Sequence, residues 1–104
     1  MDINALMRQA QQMQKTMQKK QEELENTVFT NEVGGGAVSI SLYGSYKVKE
    51  VKINKDVMDF SDPEAADMLS EMIEACLEGV IARIQKAQED ITDSMKSSLG
   101  GGRF

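Results

Sequence analysis

The sequence predicts an α+β domain of order α-β-β-β-α: a three-stranded antiparallel sheet with two long helices projecting from it as an arm. Three observations carry this. An apolar repeat of seven residues runs from Asp2 to Asn26. Between Thr27 and Asn54 the sequence turns β-branched and close to alternating, interrupted by three consecutive glycines. After the only proline, a wide apolar arc returns at helical spacing.

In the first helix Ile3, Ala10, Met17 and Leu24 form one column and Leu6 and Met13 the adjoining one, the pattern of a helix seeking a partner helix. Lys20 falls where the second column requires another apolar residue, so the seam is expected to open there or the side chain to snorkel. The remaining surface is built from Gln9, Gln11, Gln12, Gln14 and Gln18 with Arg8, Lys15 and Lys19. No acid lies between Ile3 and Gln21.

Thr27 to Val33 reads as a first strand, and Gly34-Gly35-Gly36 supplies the positive-φ positions of a tight hairpin. In the second strand Val38, Ile40 and Leu42 alternate with Ser39, Ser41 and Tyr43, which gives one buried and one wet face. Gly44 and Ser45 turn the chain again. The third strand runs from Tyr46 to about Asn54, with Val48 on one parity and Val51 and Ile53 on the other. That slip predicts a β-bulge near Lys49 and Glu50.

Ser61 and Glu64 have capping-box spacing, Asp62 is an alternative N-cap, and Pro63 sits in a first turn where its missing N–H costs nothing. The last helix should run to about Ser98. Met68, Leu69, Met72, Ile73, Cys76, Leu77, Val80 and Ile81 make its broad first half, suited to covering a sheet. Ile84, Ala87, Ile91 and Met95 make a narrower second half, suited to one partner helix. Helices of roughly 24 and 35 residues span ~36 and ~52 Å, against ~26 Å for a strand of about eight residues. The start of the first helix and the end of the last should therefore pair, antiparallel, beyond the sheet. Residues 1–99 are read as a single domain and 100–104 as a flexible tail.

The chain has 104 residues, aromatics make up 5% and Trp is absent. Core material is scarce, so burial against a partner copy is expected. A lone cysteine, Cys76, makes no internal disulfide and suits a reducing compartment, and no apolar run approaches a membrane span. A cytoplasmic protein without membrane association is expected. The absence of histidine removes the usual acid–base and nucleophile–base constellations, so no enzyme, cofactor, metal site or small-molecule substrate is expected. The series Asp67, Glu71, Glu74 and Glu78, at steps of four, three and four, lacks a ligand loop and reads as a solvated face.

The formal charge is −5, yet the charge is segregated: Met1 to Lys20 holds four bases against Asp2, and Ser61 to Val80 holds acids alone. Local potential then matters more than the sum.

Met7, Gln9, Ala10, Gln11, Met13, Gln14 and Met17, then Gln21, Glu23 and Leu24, resemble the opening helix of the YbaB/EbfC nucleoid-associated proteins. Val33-Gly34-Gly35-Gly36 with Val38 resembles their glycine hairpin, and the likeness continues through Gly44 and Val51-Lys52-Ile53 to Met95 and the terminal glycines. The resemblance implies a tweezer-like homodimer that binds double-stranded DNA with its projecting helices. It implies low sequence specificity, a nucleoid location and effects on DNA conformation, nucleoid organisation and gene expression. Arg8, Lys15 and Lys19 share one helical face and are the leading candidates for phosphate contact. Arg83, Lys86 and Lys96 are weaker, because Glu89, Asp90 and Asp93 lie among them. Lys47, Lys49 and Lys52 are explained equally well as solvent-facing edge lysines. The competing reading is an adaptor dimer whose Met-rich arms hold a partner protein.

Overall fold

A computed structural model describes residues 2–98 of the chain. Helix α1 spans Ile3–Asn26 and is started by Asp2, whose carboxylate accepts from the backbone N–H of Asn4 at 3.0 Å and Ala5 at 3.3 Å. These are donors that no helical carbonyl can reach. At its other end the Thr27 N–H donates to the Leu24 carbonyl and the Thr27 hydroxyl to that of Glu23. Thr27 thereby turns the chain into extended backbone.

Strands β1 (Val28–Val33), β2 (Val38–Tyr43) and β3 (Val48–Ile53) form an antiparallel meander in that order. Gly34, Gly35 and Gly36 all take positive φ, at 64°, 66° and 92°, as the hairpin requires. Opposite β2 the register runs Val38↔Ile53, Ile40↔Val51 and Ser41↔Glu50 and then jumps to Leu42↔Val48. Lys49 is therefore the extra residue. The bulge reverses the parity, so Val48, Val51 and Ile53 all share a face with Val38, Ile40 and Leu42.

Helix α2 spans Ala65–Ser98. The capping box expected from Ser61 and Glu64 does not form, because both the hydroxyl and the N–H of Ser61 donate to Asp59, holding that carboxyl below its usual range. Asp62 takes over, its side chain accepting the Glu64 N–H at 2.9 Å, and regular helix begins after Pro63 rather than around it.

The core joins Val38, Ile40 and Leu42 to Cys76, Val80 and Ile84, with Phe29, Val33, Leu69, Met72, Ile73 and Ile81 around it. Each such large side chain contributes roughly 1.5–3 kcal/mol of apolar burial. Burial pushes the Cys76 thiol up, a backbone bond near Ile40 opposes this and Glu32 adds to it. The thiol itself donates to the Asn31 carbonyl at 3.1 Å, so Cys76 is a packed core residue.

At Gly79, in the middle of α2, the close neighbour is a side chain. A Cβ there would meet the Asn31 amide, which donates to the Cys76 carbonyl at 3.2 Å. Gly79→Ala sets a helix-propensity gain of about 1 kcal/mol against a displaced hydrogen bond of about the same worth. A net change within about 1 kcal/mol in a thermal melt is the expected result.

The principal extents are 74 × 28 × 16 Å and the radius of gyration is 20.4 Å, where a compact chain of about 100 residues would have ~13 Å. The excess length is the helical arm. Helix α1 runs antiparallel to the far part of α2, and both outrun the sheet, as their lengths require. Among the described residues no helix is long and apolar enough to cross a membrane. The expected tail, 100–104, lies outside the described residues.

Candidate nucleic-acid interface

The arm begins at buried Leu24 and continues through two polar contacts. Gln21 and Gln88 exchange side-chain hydrogen bonds of 2.7 and 2.9 Å, and Lys20 is half-buried with its ammonium on the Ser94 hydroxyl at 3.2 Å. Lys20 thus bridges the seam at the position where the heptad loses its apolar residue. Beyond it Ala10, Met13, Gln14 and Met17 face Thr92, Met95 and Lys96 across an open, mostly apolar groove. Toward the start of α1, Ile3, Leu6 and Met7 are 67%, 49% and 56% exposed. The seam predicted over the whole first helix is covered at Leu24 and partly at Gln21, Lys20 and Met13, while Ala10 and Met17 remain exposed among the described residues.

Opposite this seam lie Arg8, Lys15 and Lys19, all exposed. Steps of seven and four residues keep them within about 40° of one another around the helix, and about 10 and 6 Å apart along it. Among the described residues no ion pair involves any of the three. Arg8 and Lys15 are flanked on that face by Gln11 and Gln12 and project positive potential, while Lys19 stands one turn before Glu22 and Glu23, with which it lines a surface hollow.

The three candidates on α2 are differently placed. Arg83 donates from Nη1 to the Thr30 carbonyl at 2.8 Å, covering the outer edge of β1. Lys86 pairs with Asp90 at 3.0 Å, one turn on, and that hydrogen bond holds its ammonium above the usual lysine range. Lys96 lines the arm groove. The structure does not bring these three into the row on α1. Lys47, Lys49 and Lys52 are exposed along and before β3, where Lys52 lies 3.6 Å from Glu50. Asp67, Glu71, Glu74 and Glu78 are all exposed on the side of α2 away from the sheet.

One surface escaped the sequence reading. Asn31 and Arg83 show that α2 leans toward β1, and its body covers β1 and β2. The inward face of β3 is left open: Val48, Val51 and Ile53 are 58%, 51% and 43% exposed, beside Leu77 of α2 at 38%. The alternation showed that these valines and this isoleucine share the core face. It could not show that the helix stops one strand short.

The model of the YbaB/EbfC DNA-binding family matches residues 1–101. A nucleoid-associated protein of Clostridium acetobutylicum is 41% identical over 101 residues, covering 96% of this chain and 84% of that one. One of Legionella pneumophila is 37% identical over 103 residues, covering 95% and 88%. A crystal structure of an uncharacterized protein from Helicobacter pylori superposes with a TM-score of 0.72 at 20% identity, covering 91% of this chain and 97% of that one, and so shares the fold. A match over nearly the whole length, joined to relatives at this identity, places the chain in the YbaB/EbfC DNA-binding family.

Proposed function

We propose that this protein is a nucleoid-associated, DNA-binding homodimer that holds duplex DNA through backbone phosphates, with little sequence preference, by the outward faces of its arms. The observation that carries the reading is the row of Arg8, Lys15 and Lys19. These long cations are spaced along one exposed helix face, outside any ion pair among the described residues. Phosphate binding needs spaced cations rather than a shaped pocket, and each neutralised phosphate releases condensed counterions. Binding by such a row tolerates sequence, because it reads no base edge. A dimer presents two rows, and one duplex held at two places is bent or bridged as the arms dictate, which is the route to effects on nucleoid organisation and gene expression. The nucleoid, within the cytoplasm, is then its place of work.

The dimer contact in this reading is the uncovered inward face of β3. Val48, Val51, Ile53 and Leu77 offer an apolar surface beside an unpaired strand edge, and a second copy covers both. Val51→Glu changes a half-exposed position, so the protomer should stay folded while sedimentation shows a monomer. Duplex affinity should fall at least about tenfold, because two linked arms then act singly.

The deciding experiment is a duplex titration over a salt series. Three phosphate contacts per arm give a slope of log K against log salt of about −2.7 for one arm and about −5 for two. A salt-insensitive complex rejects the phosphate mechanism. No shift at low salt together with a co-purifying protein transfers the arms to the adaptor reading.

A further inference from the structure

The seam between α1 and α2 is soft at its outer end and directional at its base. Outward it is built from Ala10, Met13, Met17 and Met95, whose flexible thioethers fill space without fixing how the helices align. A slip of α1 by four residues sets Leu6, Gln9, Ala10 and Met13 where Ala10, Met13, Gln14 and Met17 line the groove, three apolar residues and one glutamine in either register. At the base this equivalence fails. Gln21 donates to the Gln88 carbonyl oxygen at 2.7 Å and accepts from the Gln88 amide nitrogen at 2.9 Å, both groups partly buried, while Glu25 at 3.5 Å orients the Gln21 amide. Together with the Lys20 to Ser94 bond, these are the only side-chain hydrogen bonds joining the two helices among the described residues. A slip of one turn, 5.4 Å, strands both amides and the lysine in a half-buried seam, where unpaired polar groups are penalised and apolar ones are not.

We propose that Gln21 and Gln88, assisted by Lys20 and Ser94, are positioning residues that add to the anchor at buried Leu24 in fixing the register of α1 on α2 and so place Arg8, Lys15 and Lys19 for contact with phosphates. Its functional half rests on the DNA-binding reading above, and its register half stands without it. A pair of facing amides is suited to this, since a buried polar pair specifies alignment more than it stabilises.

The test is Gln21→Leu/Gln88→Leu, read by methyl spectra of the protein's own methionines. The resonances of Met13, Met17 and Met95 should split or broaden as several registers are populated, while Met72 in the body keeps a single unshifted signal. The melting temperature should stay level or rise, and affinity for a 30-base-pair duplex at low salt should fall about fivefold, the scale of a modest coupling between sites. Gln21→Glu/Gln88→Lys, which restores a directional pair at unchanged net charge, should return one set of signals and most of the affinity. A single, unshifted set of arm methyls in the leucine variant overturns the register lock. Split methyls with undiminished affinity overturn the positioning role. If the unaltered protein holds no duplex at all, the DNA reading falls, and the methyl spectra alone decide the register.

Discussion

Replacing Arg8, Lys15 and Lys19 together with alanine is expected to weaken duplex binding on the order of a hundredfold at low salt, as three charge-assisted phosphate contacts are lost from each engaged arm. The fold should not respond. All three side chains are exposed, none is in an ion pair among the described residues, and alanine is the best helix former available. Circular dichroism and the melting curve should therefore match those of the unaltered protein. The salt series supplies the sharper reading, because each removed cation takes about one unit from the slope. A variant that binds less tightly with an unchanged slope would have lost something other than phosphate contacts. Lys47→Ala/Lys49→Ala/Lys52→Ala is the matched control, removing the same charge from the sheet instead of the arm, and should change the slope little. Arg83→Ala and Lys86→Ala should also do less than the arm variant. Arg83 is held by the Thr30 carbonyl and Lys86 by Asp90, and each would have to leave that partner to reach a phosphate.

The features legible in the sequence were those carried by period and parity. The heptad columns gave α1 its extent and the side on which it meets α2. The parity slip between Val48 and Val51 put the bulge near Lys49 and Glu50, where the register has Lys49 as the extra residue, and the three glycines marked the hairpin. Even the misfit at Lys20 could be read, since a lysine in an apolar column must reach out, and here it reaches Ser94. What could not be read depends on which elements meet. Nothing in the spacing of Gln21 and Gln88, 67 residues apart, distinguishes them from the many solvent-facing glutamines of the same helices. Ser61 and Glu64 have correct capping spacing, but Asp59, two residues before the serine, accepts both its N–H and its hydroxyl, and Asp62 takes the Glu64 N–H that the serine would have capped. The cations divide in the same way. The row on α1 is a property of one helix and shows in its sequence, whereas the engagement of Arg83 is a property of α2 lying across β1.

Gly44→Ala should be the most destabilising single change outside the core. Gly44 follows β2 and lies under the last turn of α1, with its N–H donating to the Thr27 carbonyl at 2.9 Å. Its φ is not positive, so the requirement for glycine there comes from space alone. A Cβ would overlap the Leu24 carbonyl oxygen, stand 2.7 Å from the carbonyl carbon and 3.1 Å from Leu24 Cγ. The obstructing atoms are backbone, in a turn where Leu24 O also accepts the Thr27 N–H, so no side chain can swing aside. Relief requires α1 to lift from the sheet at the one point where Leu24 is buried. A loss of about 2–4 kcal/mol follows from overpacking of this kind, or a fall of roughly 10–25 °C in melting temperature for a domain of this size. Gly35→Ala is the informative comparison. No atom lies within 4 Å of its Cβ position, but φ is +66°, so only the left-handed backbone penalty of about 1–2 kcal/mol applies. The order Gly44→Ala below Gly35→Ala in melting temperature is the expected result, and the reverse order would show that α1 is not seated on the β2–β3 turn. Because Leu24 is also the last apolar residue before the arm, the same substitution should tilt Arg8, Lys15 and Lys19 relative to the sheet. Duplex affinity measured well below the lowered melting temperature should then fall as well, which Gly35→Ala, at the far hairpin, should not cause.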